Sequence, residues 1–254
     1  MSELISIIMP SYNTGAQIGA TIRSIQAQTY ENWELIIVDD CSTDDTDAVV
    51  AAFADPRIRY FKNEKNSGAA ISRNRGLREA KGAYIAFQDS DDLWEPDKLE
   101  SQLAFMKEKG YAFTFTDYRI QYPDGKFSPY IYTGPRKVRK WQVYCYCYFS
   151  TITVLYDVRV VGLIQIEDIR KNNDYAMWFC AAEKTAMYRF PRCLSTYCKR
   201  EESISSGSKV KLIKHHYIMY RKALGKAVLP SLFYTGLNLV CGVLKKLIYR
   251  TKAE

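Results

Sequence analysis

Apolar positions in the first 120 residues follow two alternating patterns. Short apolar runs at 5–9, 33–38, 58–61, 84–88 and 111–118 predict buried strands. Between them, apolar residues recur at helical spacing, as at Ile18, Ile22 and Ile25, and predict helices, including one from 42 to 54 and one from 69 to 80. This alternation predicts an α/β layer fold with a mostly parallel central sheet.

Polar clusters follow three of the predicted strands. They are Pro10-Ser11-Tyr12, Asp39-Asp40 and Asp89-Ser90-Asp91-Asp92. Parallel strands present their carboxyl ends at one edge of a sheet, where α/β proteins bind ligands. We therefore expect the three clusters to converge on one site.

The acidic cluster has two interpretations. Crowded carboxylates such as Asp89 and Asp91 repel each other unless a cation joins them. Oxygen ligands suit Mg²⁺ or Mn²⁺, shared with substrate phosphates. The alternative is a solvated acidic turn that caps the next helix.

The pattern changes after residue 118. Residues 122–126 predict a hairpin turn, residues 151–156, 186–190 and 194–197 predict strands, and residues 174–182 predict a helix. We expect a first half at 1–118, a mixed α/β half at 119–205 that covers it, and a helical tail at 206–254.

The basic charge belongs to the tail. The chain has 254 residues and a formal net charge of +8, yet the first 202 residues carry 26 basic and 27 acidic side chains. Beyond Glu202 there are ten Lys and Arg and one acid, Glu254. A nucleic-acid-binding core would carry a basic face in its body, so this distribution argues against nucleic acid and favours an anionic membrane surface.

The tail contains an uncharged stretch at 227–244, flanked by lysines. Three interpretations stay open: a helix lying in the membrane interface, packing onto the catalytic domain or a homodimer partner, and a true span. His215 and His216 are expected at the surface. The first residues lack a signal-peptide pattern, so we expect a cytoplasmic protein, peripheral on the inner face of the cytoplasmic membrane.

The chain has seven cysteines, an odd number, and no C-x-x-C pair. This pattern favours buried reduced thiols over a zinc site.

Several segments together resemble one enzyme family. They are IIMPSYN (7–13), SIQAQTY (24–30), ELIIVDDCSTD (34–44), NSG (66–68), SRNRG (72–76) and FQDSDDLW (87–94). Their order and sequence closely resemble the N-terminal half of inverting family-2 glycosyltransferases. The resemblance implies the GT-A fold and a nucleotide-diphosphate sugar donor, most often a UDP-sugar. It also implies that the half at 1–118 binds the nucleotide sugar and that the half at 119–205 binds the acceptor and carries the catalytic base.

The resemblance also implies roles for single residues. Pro10 and Tyr12 should lie against the nucleotide, Asp39 should accept a hydrogen bond from the base, and Arg73 should approach the nucleotide or its phosphates. Asp91 should bind Mn²⁺ or Mg²⁺, with Asp89 helping through the ribose or the metal.

The second half carries two more parallels. The segment 171–178 resembles the one that holds the catalytic base, which makes Asp174 the expected base, although Asn173 stands where Glu or Gln is usual. The segment 197–205 resembles a loop that closes over the donor, where Lys199 or Arg200 would reach the diphosphate.

Together these features predict an inverting, metal-dependent hexosyltransferase. We expect it to glycosylate a hydroxyl of a saccharide acceptor linked to polyprenyl diphosphate, in bacterial O-antigen, capsule or lipooligosaccharide synthesis. The alternatives are a polyprenyl-phosphate glycosyltransferase and a non-catalytic nucleotide-sugar-binding module. A dinucleotide-dependent dehydrogenase is disfavoured, because no G-x-G-x-x-G follows the first strand.

Overall fold

The structure of the protein is a computed structural model that describes residues 3–169, 171–200 and 209–253, with the backbone alone at 209–212 and 246. The strands in these ranges are β1 Ile5–Ser11, β2 Trp33–Asp39, β3 Ile58–Lys62, β4 Tyr84–Phe87, β5 Leu93–Trp94, β6 Phe113–Gln121, β7 Phe127–Tyr132, β8 Lys137–Val138, β9 Val154–Asp157, β10 Met187–Cys198 and β11 Arg250–Lys252. The helices are α1 Gly15–Gln26, α2 Thr46–Ala51, α3 Ala69–Glu79, α4 Lys98–Lys109, α5 Lys140–Cys145, α6 Val158–Val161, α7 Asn173–Lys184, α8 Lys209–Ile218 and α9 Val228–Ile248.

One sheet joins both halves of the chain. Strands β3, β2, β1 and β4 are parallel neighbours in that order. Strand β9 pairs antiparallel with β4 and β6, and β10 runs parallel to β6. Strand β6 crosses residue 118, and the boundary at residue 205 lies outside the described residues. The three-part division of the chain stays a prediction.

Both faces of the parallel strands are buried, because successive side chains of a strand point to opposite faces. Ile7 and Met9 pack with α1 on one face, where Ile18, Ile22 and Ile25 are fully buried as expected. On the other face Ile8 meets α3, and a Cβ at Gly76 would lie 2.8 Å from Ile8 Cγ2. These layers fix the sheet edge at which the polar clusters lie.

The second helix is shorter than the pattern predicts. It begins at Thr46 instead of residue 42 and ends at Ala51. The Asp44 carboxylate accepts hydrogen bonds from the backbone N–H groups of Gly15, at 2.9 Å, and Thr46, at 3.1 Å. Residues 42–45 therefore form a loop tied to α1.

Two strand predictions in the second half are wrong in detail. The segments at 186–190 and 194–197 belong to one strand, β10, whose register with β6 shifts between Phe190 and Cys193 and again before Ser195. Pro191, which has no N–H to donate, lies at the first shift. Residues Thr151–Thr153 form a 3₁₀ turn, and the strand begins only at Val154.

The expected surface position of His216 is also wrong. Its side chain is buried, with Nδ1 3.3 Å from Asn172 Nδ2. Burial, with a smaller contribution from His215, lowers the pKa of His216 to about 4.

All seven cysteines are free thiols, but the expectation that they are buried is wrong. Six are half-buried, and Cys180 is exposed.

Lys98 is an unusual feature of the core. It is fully buried at the start of α4, with Nζ 4.0 Å from the centroid of the Trp94 ring and no hydrogen-bond partner among the described residues. Burial lowers the pKa of Lys98 to about 7.

We expect Lys98→Met to raise the free energy of unfolding at neutral pH by up to about 4 kcal/mol, because burying the ammonium ion opposes folding. The pKa in the folded protein lies below that of an unfolded lysine, about 10.4, so the unfolded chain binds more protons between these values and wild-type stability rises with pH there. The advantage of the variant should therefore shrink as the pH is raised through this window. Urea unfolding across the window measures both effects. Lys109→Met, on the exposed side of α4, is the control, and an equal response of both variants would contradict the prediction.

Candidate functional site

The loops at the carboxyl edge of the sheet are held in unusual backbone conformations. Asn13 after β1, Cys41 after β2 and Asn172 before α7 are the non-glycine residues with positive φ in the described part of the chain, at 48°, 67° and 59°. Such residues persist only where the surroundings fix them. Asn13 N–H donates to Ser42 Oγ at 2.8 Å, and Asn13 Oδ1 accepts from the Thr43 N–H at 2.9 Å. The first two loops are therefore locked to each other.

The predicted nucleotide-binding residues of these loops differ in accessibility. Pro10 is half-buried opposite Val38, and the Tyr12 ring is 46% exposed at the edge. Asp39 has no exposed surface; its carboxylate accepts hydrogen bonds from the N–H, at 3.1 Å, and the hydroxyl of Ser42, and Lys62 Nζ lies 3.7 Å away. Because Asp39 has no exposed surface, a ligand could reach its carboxylate only if the neighbouring side chains moved.

Asp40 has a structural role that the sequence did not predict. Its buried carboxylate accepts hydrogen bonds from Gly68 N–H at 2.6 Å, from Ser67 N–H at 3.0 Å and from Asn63 Nδ2 at 2.9 Å. Asp40 therefore shapes the loop that leads into α3.

Arg73 of α3 lies at the centre of the site. Its Nη2 donates to Asp89 Oδ1 at 2.7 Å, and its Nη1 donates to Asn173 Oδ1 at 3.1 Å. Burial alone would lower the pKa of Arg73, but the carboxylates of Asp89 and Asp174 raise it. One buried guanidinium thus joins α3, the end of β4 and the start of α7.

Asp174 lies in the first turn of α7, where a half-buried carboxylate faces the site. Its Oδ2 accepts a hydrogen bond from Thr151 Oγ1 at 3.0 Å, and its Oδ1 accepts one from Tyr175 N–H at 2.8 Å. Each carboxylate oxygen has two lone pairs, so each keeps capacity for a further proton donor. Asn173 binds the guanidinium that also holds Asp89, which places Asp174 beside the acidic cluster.

The acidic cluster after β4 is paired with a basic residue of the second half. Arg200 Nε lies 2.7 Å from Asp91 Oδ2, and Asp92 Oδ1 accepts a hydrogen bond from Cys198 N–H at 2.8 Å. Burial, followed by the charge of Asp89, raises the pKa of Asp91; burial and both neighbouring carboxylates raise that of Asp92 well above its usual range.

The two basic candidates of this segment point in different directions. Lys199 Nζ lies 5.7 Å from the centroid of the Tyr122 ring, and its side chain is exposed. The structure therefore brings Arg200, and not Lys199, to the acidic cluster. Residues 201–205 of the resembling loop lie outside the described residues.

The acidic cluster fits a divalent cation that is held partly by the protein and partly by the phosphates of a substrate. Asp89 and Asp91 are partly exposed, and each holds an arginine guanidinium in this structure. In the described ranges no three His, Cys, Asp or Glu side chains gather into a complete metal site. Mg²⁺ and Mn²⁺ suit such a place, because one or two carboxylates hold them together with water and substrate phosphates.

This arrangement of strand-end loops and carboxylates is typical of a nucleotide-sugar-dependent transferase. The profile of the Glycosyl transferase family 2 matches residues 6–155. The putative teichuronic acid biosynthesis glycosyltransferase TuaG of Bacillus subtilis (strain 168) is 39% identical over 222 residues, 86% of this chain and 88% of the relative. The UDP-Glc:alpha-D-GlcNAc-diphosphoundecaprenol beta-1,3-glucosyltransferase WfaP of Escherichia coli is 35% identical over 244 residues, 93% and 94% of the two chains. The chain belongs to glycosyltransferase family 2.

Solved structures share the fold at low sequence identity. TarS 1–349 of S. aureus in complex with UDP-GlcNAc has a TM-score of 0.72 at 20% identity, over 94% of this chain and 72% of the 1–349 chain. The mannosyltransferase PcManGT of Pyrobaculum calidifontis, in complex with GDP-Man and Mn²⁺, has a TM-score of 0.65 at 16% identity, over 96% and 76% of the chains. The expected GT-A fold is confirmed.

We expect Arg200→Gln to bind Mn²⁺ more tightly than the wild type in the absence of nucleotide. The guanidinium occupies Asp91 and repels an approaching cation, so its removal should tighten binding by roughly tenfold, the scale of one partly exposed ion pair. Titration calorimetry with Mn²⁺ alone measures the change. Lys199→Gln removes the same charge from the neighbouring residue and is the control. Equal affinities in the two variants would show that the Asp91–Arg200 contact does not compete with metal.

Proposed function

We propose that this glycosyltransferase moves a hexose or N-acetylhexosamine from a UDP-sugar to a hydroxyl group of a lipid-linked saccharide during bacterial surface-polysaccharide synthesis. The names of WfaP and WfgD, both from Escherichia coli, specify a UDP-Glc donor and a diphosphoundecaprenol-linked acceptor. TarS was solved with UDP-GlcNAc and with UDP. These names support the donor and acceptor classes.

The contact of Arg73 with both Asp89 and Asn173 carries the proposal. The Arg73 guanidinium binds Asp89 on one side and Asn173, the neighbour of the expected base Asp174, on the other. It therefore holds Asp174 close to the carboxylates that would face the donor diphosphate. A sugar between them would present its anomeric carbon to the base side and its diphosphate to the acidic cluster. This arrangement supports a single displacement as the proposed mechanism.

The chain's own residues supply the proton acceptor. The acceptor hydroxyl attacks the anomeric carbon, Asp174 takes the hydroxyl proton, and the bond from that carbon to the diphosphate oxygen breaks. Thr151 and the Tyr175 N–H hold the carboxylate in place through this step. The new bond forms opposite the leaving group, so the anomeric configuration inverts.

The donor site would be formed by the locked loops. Tyr12 and Pro10 would line the nucleotide, and Asp39 would bind its base. A divalent cation held by Asp91 and Asp89 would offset the charge of the leaving diphosphate. Arg200, released from Asp91, would be free to bind a phosphate.

We also propose a place of action, the cytoplasmic face of the membrane that carries the lipid-linked acceptor. The basic tail at 206–254 would attach the enzyme to anionic lipids there. The charge distribution of the sequence supports this location.

We expect Asp174→Asn to lower transfer from UDP-Glc to GlcNAc-diphosphoundecaprenol, the substrates in the name of WfaP, by about a thousandfold, because the amide cannot accept the proton. Binding of the donor should be unchanged, since Asp174 lies on the acceptor side. Rate assays and donor-induced thermal shifts measure the two effects. Asp168→Asn, which removes an exposed carboxylate six residues earlier, is the control. If the variant kept its rate with this hydroxyl acceptor, Asp174 would not be the base.

A second prediction tests the donor class. We expect one or more UDP-sugars to raise the melting temperature only when Mn²⁺ or Mg²⁺ is present, because the diphosphate completes the cation site. GDP-, dTDP- and CMP-sugars should shift it less, and Asp91→Ala should abolish the metal-dependent part. If folded protein gave no shift with any nucleotide, the transferase proposal would give way to a non-catalytic role.

A further inference from the structure

Helix α9 presents a continuous apolar surface to solvent. Seven large side chains, here called the outer face, are between 54% and 79% exposed. They are Leu229, Leu232, Phe233, Val240, Val243, Leu247 and Ile248. Their spacing places them on one side of a helix of 21 residues, about 32 Å long at 1.5 Å per residue.

The opposite side of α9 packs against the protein and is mainly polar or small. This inner face consists of Ser231, Thr235, Asn238 and Gly242, and beside them the half-buried Tyr234 ring packs against Tyr144 and Tyr220. The first three are nearly inaccessible to solvent, and a Cβ at Gly242 would lie 2.8 Å from the Tyr146 ring. An amphipathic helix at the surface of a soluble protein has its apolar side inward. The polarity of α9 is inverted.

We propose that the outer face of α9 enters the apolar part of one leaflet of an anionic membrane, while its inner face holds the helix of the catalytic base. The role of the inner face rests on the proposed function of Asp174, whereas the membrane contact does not. The helix then lies along the membrane surface and fixes α7 at a constant height above it.

The charges around α9 favour a lipid surface over a second copy of the chain. Arg221, Lys222 and Lys252 are exposed near its ends, and the sequence from 203 to 253 contains no Asp or Glu. Two copies packed through this face would bring like charges together. Anionic headgroups would instead neutralise them while the leaflet covers the apolar side chains.

The inner face argues against a membrane span. Residues 228–245 are long and apolar enough to cross a membrane by length and composition. However, Asn238 Nδ2 donates to Tyr175 Oη at 2.9 Å, and a spanning helix would exchange this contact for lipid. The protein covers the polar side and leaves only the apolar side for lipid.

The same hydrogen bond links α9 to the base. Tyr175 follows Asp174 in α7, and its hydroxyl donates to the Val143 carbonyl at 2.6 Å. Asn238 therefore fixes the ring of Tyr175, and the backbone N–H of the same residue holds the Asp174 carboxylate. We assign Asn238 as a positioning residue that acts through Tyr175.

The outer face is tested by co-sedimentation with vesicles of phosphatidylcholine and phosphatidylglycerol in equal parts. Leu232→Ser combined with Val243→Ser should weaken vesicle binding by at least about tenfold, because two apolar side chains no longer enter the leaflet. Val160→Ser, a similar change at an exposed valine of α6, should leave it unchanged. Equal binding by the double variant would overturn the membrane contact, and a shift to dimers of the wild type without vesicles would favour a second copy as the partner.

The inner face is tested with Asn238→Leu, which should keep vesicle binding and donor affinity. We expect faster hydrogen–deuterium exchange of amides 174–178 and a several-fold lower kcat at unchanged KM for hydrolysis of a UDP-sugar with water as acceptor. Thr235→Val is the matched control, because the Thr235 hydroxyl donates within α9 to the Ser231 carbonyl.

Tyr175→Phe provides the second arm of the test. It should lower kcat similarly, and adding Asn238→Leu to it should change little, because both remove one link. Additive losses would overturn the positioning role. If the wild type bound no UDP-sugar, the proposed function would be contradicted, and the result of the vesicle experiment would remain valid.

Discussion

The buried guanidinium of Arg73 is the constraint on which the site depends. A buried charge costs several kcal/mol unless carboxylates and hydrogen bonds compensate it, and its partners come from both halves of the chain. Asp89 lies just after β4, one of the parallel strands, and Asn173 is the first residue of α7. Because the contacts of Arg73 come from both halves, folding brings the acidic cluster and α7 together. The contacts of Arg73 therefore contribute both to the stability of the fold and to the geometry of the site.

The remaining carboxylates at the edge divide into two groups. Asp40 and Asp39 are satisfied by neighbouring loop groups, and they hold these loops in backbone conformations that would otherwise be unfavourable. Asp91 and Asp92 are not relieved in this way, since burial and the charges of neighbouring carboxylates, Asp89 among them, raise both pKa values. A cation is the simplest means of relieving that repulsion, and Arg200 supplies one positive charge in this structure. The rigid loops suit nucleotide recognition, and the strained cluster suits exchange of one cation for another.

Local pattern and family resemblance predicted the parallel strands, the amphipathic helix with Ile18 and Ile22, and the edge where the polar clusters meet. They could not predict contacts between distant residues. Asp44 delays the start of α2 by binding the Gly15 N–H, and the contact of Arg73 with Asn173 joins residues that lie 100 positions apart in the sequence. The local pattern predicts His216 at the surface, because the helix that covers it is far away in sequence and leaves no sign in that pattern. Each of these differences arises from tertiary contacts, which override local preference.

The orientation of α9 shows why periodicity alone is insufficient. A stripe of leucines and valines predicts which residues share a face, but a soluble fold would turn that face inward. In this protein Asn238 and its neighbours occupy the interior, because Tyr175 offers a hydrogen bond that no leucine could make. Every outward-facing apolar side chain then has a solvation cost that the isolated enzyme does not recover. A leaflet would remove that cost, and the proposed lipid-linked acceptor, anchored in the same leaflet, would present its sugar at a fixed distance from the surface. Coupling the membrane-facing helix to the helix of Asp174 would match the height of the base to the height of its substrate.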